Sequence, residues 1–106
     1  MINHTMLVAF ASPISDDDLA RFTADIEKPM RATGLVESFA VRRHIAVPGE
    51  EAIPAFIATA VLQFGVADVA ALGALFAAPG IEEVIDTWQR EHPYRVAWVN
   101  HEALAG

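Results

Sequence analysis

Most of the acid/base potential of this 106-residue chain rests on its four histidines. His4 lies in the alternating run Ile2-Asn3-His4-Thr5-Met6, where it shares a face with Ile2, Met6, Val8 and Phe10. A histidine on an apolar face can be a general acid or base in a pocket, where burial keeps its imidazole neutral. It can equally be a core or strand-end histidine bonded to backbone or water. His44 follows Arg42 and Arg43, a cationic cluster suited to the carboxylate or carbonyl of a ligand; the bland reading is a solvated strand end beside Glu50 and Glu51. His92, Tyr94 and Arg95 gather where a helix should give way to a strand. A tyrosine there can donate a proton, while a histidine there also suits the helix dipole. Asn100 alternates onto the face of Trp98 and can orient a substrate carbonyl. His101, near the C-terminal end, carries less.

From these, the candidate catalytic residues are His4, Asn100 and Tyr94. The candidate substrate contacts are Met6, Phe22, Trp88, Trp98, His44 and Arg43. The two tryptophans are core residues or ligand platforms, each with an N–H that needs a partner. The chain has no cysteine, and no two histidines stand four apart on an expected helix, so no metal site is expected. Gly-rich phosphate loops and the Gly-x-Ser-x-Gly elbow are absent as well, and the expectation is chemistry without a cofactor. A net charge of −7, with only seven Lys and Arg, excludes a nucleic-acid partner. The N-terminal stretch lacks the basic start and long apolar core of a signal peptide. The longest uncharged run, Ile53 to Ala67, is broken by Pro, Thr, Gln and Gly, too short for a membrane span. A cytoplasmic protein of one domain, residues 1–106, is the expectation.

The elements that must position these residues follow from periodicity. A first strand is expected over Ile2 to Phe10. Ser15 caps a helix whose first turn holds Asp16 to Asp18; Leu19, Phe22, Ile26 and Met30 form its apolar stripe, Pro29 should kink or restart it, and Gly34 ends it. A second strand is expected over Leu35 to Val47, then a hairpin at Pro48-Gly49-Glu50-Glu51. A third is expected over Ile53 to Phe64, ended by Gly65. That stretch is apolar on both faces and must be covered on both. Asp68 caps a short helix with Val69, Leu72, Leu75 and Phe76. Pro79 suits the first position of another, with Ile81, Val84, Ile85 and Trp88 on one stripe. Pro93 stops it, and a last strand covers Tyr94 to Glu102. The order βαββαβ predicts an α+β, ferredoxin-like fold: a four-stranded antiparallel sheet with helices on one face. The other face is left bare and apolar, which predicts a homodimer joined through the sheet faces.

With Ile-Asn-His-Thr-Met-Leu-Val-Ala-Phe at the N-terminus, the Leu-x-x-Phe helix, Phe-Ala-Val-Arg-Arg and Leu-Phe-Ala-Ala-Pro-Gly, the chain resembles the dimeric α+β-barrel superfamily along nearly its whole length. That group includes stress-responsive A/B-barrel proteins, small polyketide cyclases, cofactor-free monooxygenases, haem-degrading enzymes and REDY-like proteins of prodigiosin-type pathways. The resemblance implies a pocket between sheet and helices for a flat, hydrophobic small molecule. In the stress-responsive and cyclase-like members a first-strand histidine faces that pocket, and His4 matches it. The cyclase's second histidine, in His-Pro-x-His, corresponds to Ala78-Pro79-Gly80-Ile81, which has none. The Asn, Trp and His set of the haem degraders has no counterpart. The expected function is cyclase- or isomerase-type acid/base chemistry by His4, helped by Asn100 or Tyr94, on an aromatic or polyketide-like compound in natural-product biosynthesis. The alternatives are a non-catalytic binding or stress-responsive barrel and a cofactor-free monooxygenase.

Overall fold

The computed structural model describes residues 1–104. The elements run β1 (Ile2–Phe10), α1 (Asp16–Ala32), β2 (Ser38–Arg43), a 3-10 turn (Glu50–Ala52), β3 (Ala60–Val66), α2 (Val69–Phe76), α3 (Ile81–Glu91) and β4 (Tyr94–Glu102). The strands form one four-stranded sheet in the order β2-β3-β1-β4, with every neighbouring pair antiparallel. This is the ferredoxin-like arrangement expected from the sequence, with β3 and β1 central.

Alternation along β1 decides which layer each residue joins. Val8 is buried, and Ile2, Met6 and Phe10 pack against the core. Opposite Val8, Met6, His4 and Ile2 in register stand Ala60, Leu62, Phe64 and Val66 of β3. Those β3 residues, with Leu19, Phe22, Ile26 and Met30 of α1, Leu72 and Leu75 of α2 and Ile81 and Trp88 of α3, form the core between sheet and helices. Each large side chain so buried contributes about 1.5–3 kcal/mol. Caps set the helix starts as expected. Ser15 Oγ accepts from the Asp18 N–H at 3.0 Å, and the Asp68 carboxylate accepts from the Ala71 N–H at 2.8 Å. Gly34, at φ +74°, follows the end of α1. Here only glycine takes the left-handed turn without strain.

Four expectations are corrected. Helix α1 runs unbroken through Pro29 to Ala32; proline there only removes one helical donor. Pro79 does not open α3. Gly80, at φ +89°, makes the corner, and Ile81 is the first helical residue. Strand β2 is shorter than Leu35 to Val47, and β3 starts at Ala60 rather than Ile53 and continues through Gly65 to Val66. The ladder begins where donors exist: His44 N–H bonds the Thr59 carbonyl, and Thr59 N–H bonds that of Val8. Upstream, Pro48 and Pro54 have no N–H to give. The segment between His44 and Thr59 becomes an arm outside the sheet, with Ile53 65% and Phe56 62% exposed.

The two faces of β3 are now assigned. Leu62 and Phe64 look toward the helices and are fully buried. Val61 and Gln63 look the other way, beside Leu7 and Thr5 of β1. Among the described residues no helix covers that second face, where Leu7 and Val99 are exposed.

Candidate active site

His4 lies on the helix-facing side of β1. The register sets it directly opposite Asn100 on β4, and the imidazole Nδ1 and the Asn100 Oδ1 are 2.7 Å apart. An amide oxygen only accepts, so Nδ1 carries the proton and donates it. The lone pair is thereby left on Nε2. No buried side-chain nitrogen or oxygen among the described residues lacks a partner, and Nε2 makes no hydrogen bond to them, so it is the edge of the ring that reaches solvent. His4 as a whole is only 3% exposed. The Phe76 ring stands edge-on to it at 5.1 Å and 81°, and Trp98 lies at 5.5 Å.

Strand β4 is an edge strand, and the helices leave its inner surface uncovered at Val96, Trp98 and Asn100, with Trp98 59% exposed. The site is therefore a shelf rather than the expected closed pocket. Its floor is Trp98, Asn100 and the half-buried Met6, paired in register with Trp98, and its inner wall is His4 under Phe76. The space between sheet and helices further in is filled by core side chains. Below Phe76, the α2–α3 corner brings Glu82 and Glu83 to a small cavity beside the shelf. Carboxylates at that approach disfavour anionic ligands.

The structure brings together His4, Asn100, Met6 and Trp98 and separates the other candidates from them. Tyr94 stands six residues before Asn100 on β4, about 20 Å away at about 3.3 Å per residue. It packs against Phe10 and Phe22, and burial raises its pKa above the ordinary tyrosine value despite the opposing effect of Gln89. Phe22 and Trp88 are core residues stacked edge to face on each other, and Trp88 Nε1–H donates to the Asp25 carboxylate at 2.9 Å. Arg43 binds the Ile14 carbonyl and Asp16, and His44 pairs with Glu50, both at the opposite edge of the sheet from β4. Phe76 had no sequence signal beyond its place on an apolar helix stripe. Its importance comes from the corner that follows α2.

No family model matches the chain, and no curated protein is significantly similar to it in sequence. Its structure is similar to several solved ones. One is a DABB-family protein with a ferredoxin-like fold from Mesorhizobium loti, at 18% identity over 98% of this chain and 97% of that chain, TM-score 0.72. Another is a dimeric ferredoxin-like protein of unknown function from Bacteroides fragilis, at 14% identity over 96% and 95%, TM-score 0.69. A third is a hydroxynitrile lyase from Passiflora edulis, at 15% identity over 94% and 90%, TM-score 0.71. At these identities the likeness is one of fold, and that fold is ferredoxin-like. Among the described residues, no helix is long and apolar enough to cross a membrane.

Proposed function

We propose that this chain is a small-molecule enzyme working by acid/base chemistry at a single base, His4, on an uncharged hydrophobic compound, within a homodimer packed sheet to sheet. The observation that carries the reading is the His4–Asn100 pair, which leaves the second imidazole nitrogen without a protein partner in a ring that lies beside Trp98. With Tyr94 far away, proton removal and return are both assigned to His4; Glu102, on the β4 face of Asn100, and Glu82 and Glu83 of the α2–α3 corner are the other titratable groups near the shelf. Intramolecular aldol-type cyclisation fits this economy. Nε2 removes a proton from the carbon next to a carbonyl, and the carbanion closes onto a second carbonyl of the same molecule. The imidazolium then returns the proton to the new alkoxide. Asn100 holds the ring's orientation and stabilises the transient cation through its amide oxygen.

Hydroxynitrile cleavage is a second reading, supported by the structural likeness to the Passiflora edulis lyase. It too needs one base: the hydroxyl proton passes to Nε2 as cyanide leaves, and the cyanide retrieves it. Support for the dimer comes from the uncovered sheet face around Leu7 and Val99 and from the dimeric state of the similar Bacteroides fragilis protein.

The test is turnover of a panel of linear poly-β-ketones and aromatic cyanohydrins by the wild type and His4→Ala. Loss of about a hundredfold or more in rate, with unchanged circular dichroism and elution volume, is the expected outcome. A substrate turned over equally well by His4→Ala refutes the assignment. Tight binding across the panel with no conversion makes the protein a binding module instead.

A further inference from the structure

His4 is the candidate reacting residue and also one of the most buried polar side chains. Phe76 and Trp98 enclose it, with ring centroids 6.2 Å apart. A flat ring seated between them needs about 7 Å, two carbon contacts of about 3.5 Å each. One of the two rings must therefore move before a planar molecule can lie against Nε2.

The fold decides which. Trp98 sits in the middle of β4, held by the ladder opposite Met6. Phe76 is the last residue of α2, immediately before Ala77-Ala78-Pro79-Gly80. Its neighbour Leu75 is fully buried and anchors the helix, while Phe76 is 48% exposed, so swinging its ring outward sacrifices little burial. Beside it the α2–α3 corner leaves a half-open recess of about 280 Å³, lined by Phe76, Ala78, Pro79, Ile81, Glu82 and Glu83 among others.

We propose that Phe76 is the gate of the site: it packs against the His4 imidazole in the described rotamer, leaving Nε2 only a narrow opening to solvent, and widens that opening when its ring turns into the α2–α3 corner. By its size it then determines which ligands reach the base. The proposal rests on Nε2 being the reacting atom, but its test needs no turnover.

Diethylpyrocarbonate acylates unprotonated imidazole nitrogen, and mass spectrometry of the modified full chain at neutral pH resolves each histidine. His92, at the far end of α3, is the internal reference. In the wild type His4 is modified more slowly than His92. Phe76→Ala raises the His4 rate about tenfold or more while His92 is unchanged, and Phe76→Leu lies between. Val69→Ala, at the exposed other end of α2, leaves the His4 rate as it was. An unchanged His4 rate in both Phe76 variants overturns the proposal. So does an equal increase in Val69→Ala, which would mean that α2 merely loosens. If Phe76→Ala loses its fold by circular dichroism, Phe76→Leu decides. Should His4→Ala retain turnover while Phe76→Ala still unmasks His4, the catalytic reading fails and the gate stands.

Discussion

Asn100 acts on His4 through one hydrogen bond, so its removal is a test of positioning rather than of binding. Asn100→Ala should release Nδ1 and let the imidazole exchange between its two neutral tautomers. Nitrogen-15 spectra of the imidazole would then show a mixture in place of a dominant Nδ1–H form. The expected kinetic effect is a fall in kcat of about tenfold or more with KM little changed. An unaltered tautomer would mean that another group orients the ring. Alternation was enough to put His4 on the face of Met6 and Val8, and Asn100 on that of Trp98. It also put Tyr94 on the face of Asn100, but six residues along one strand span about 20 Å, a separation that the spacing already implied. Phe22 and Trp88 lie in the buried core: the helical spacing that marks a lining residue also marks a core residue.

At the scale of elements, the helices were legible to within a residue or two, since caps and apolar stripes are local signals. The β2 and β3 limits were not. Apolar alternation continues through Ile45 and Ile53, yet a strand needs partners, and the prolines deny them. The resulting arm is held by Glu50, whose carboxylate accepts from the Val47 N–H and pairs with His44. The Val47 N–H, then the His44 side chain, lower the Glu50 pKa. A lowered carboxyl pKa stabilises the arm above the ordinary glutamate value of 4.5, and the contribution is lost as pH falls through the lower folded value. Protection factors at Val47 and Ala52, corrected for the intrinsic pH dependence of amide exchange, should therefore fall on acidification before those of the β1 ladder. Simultaneous loss of protection in both would show that the arm is not a separate unit.

At the scale of the whole molecule, the sheet face carrying Leu7, Val61 and Val99 is left without a covering layer among the described residues. Light scattering after size exclusion should give twice the chain mass for the wild type. Leu7→Lys, which puts a charge at the centre of that face, should give a folded monomer with an unchanged far-ultraviolet spectrum. A wild type that stays monomeric at high micromolar concentration would remove the dimer from the reading.

The pairing of β1 with β4 also has a consequence in time. His4 and Asn100 are 96 positions apart in the chain, and of the described strands the one bearing Asn100 is synthesised last. A ribosome-bound chain can already form β1 and β3, but its imidazole has no amide to fix the tautomer. Which ring nitrogen keeps the proton is thus fixed only once the strand bearing Asn100 has docked.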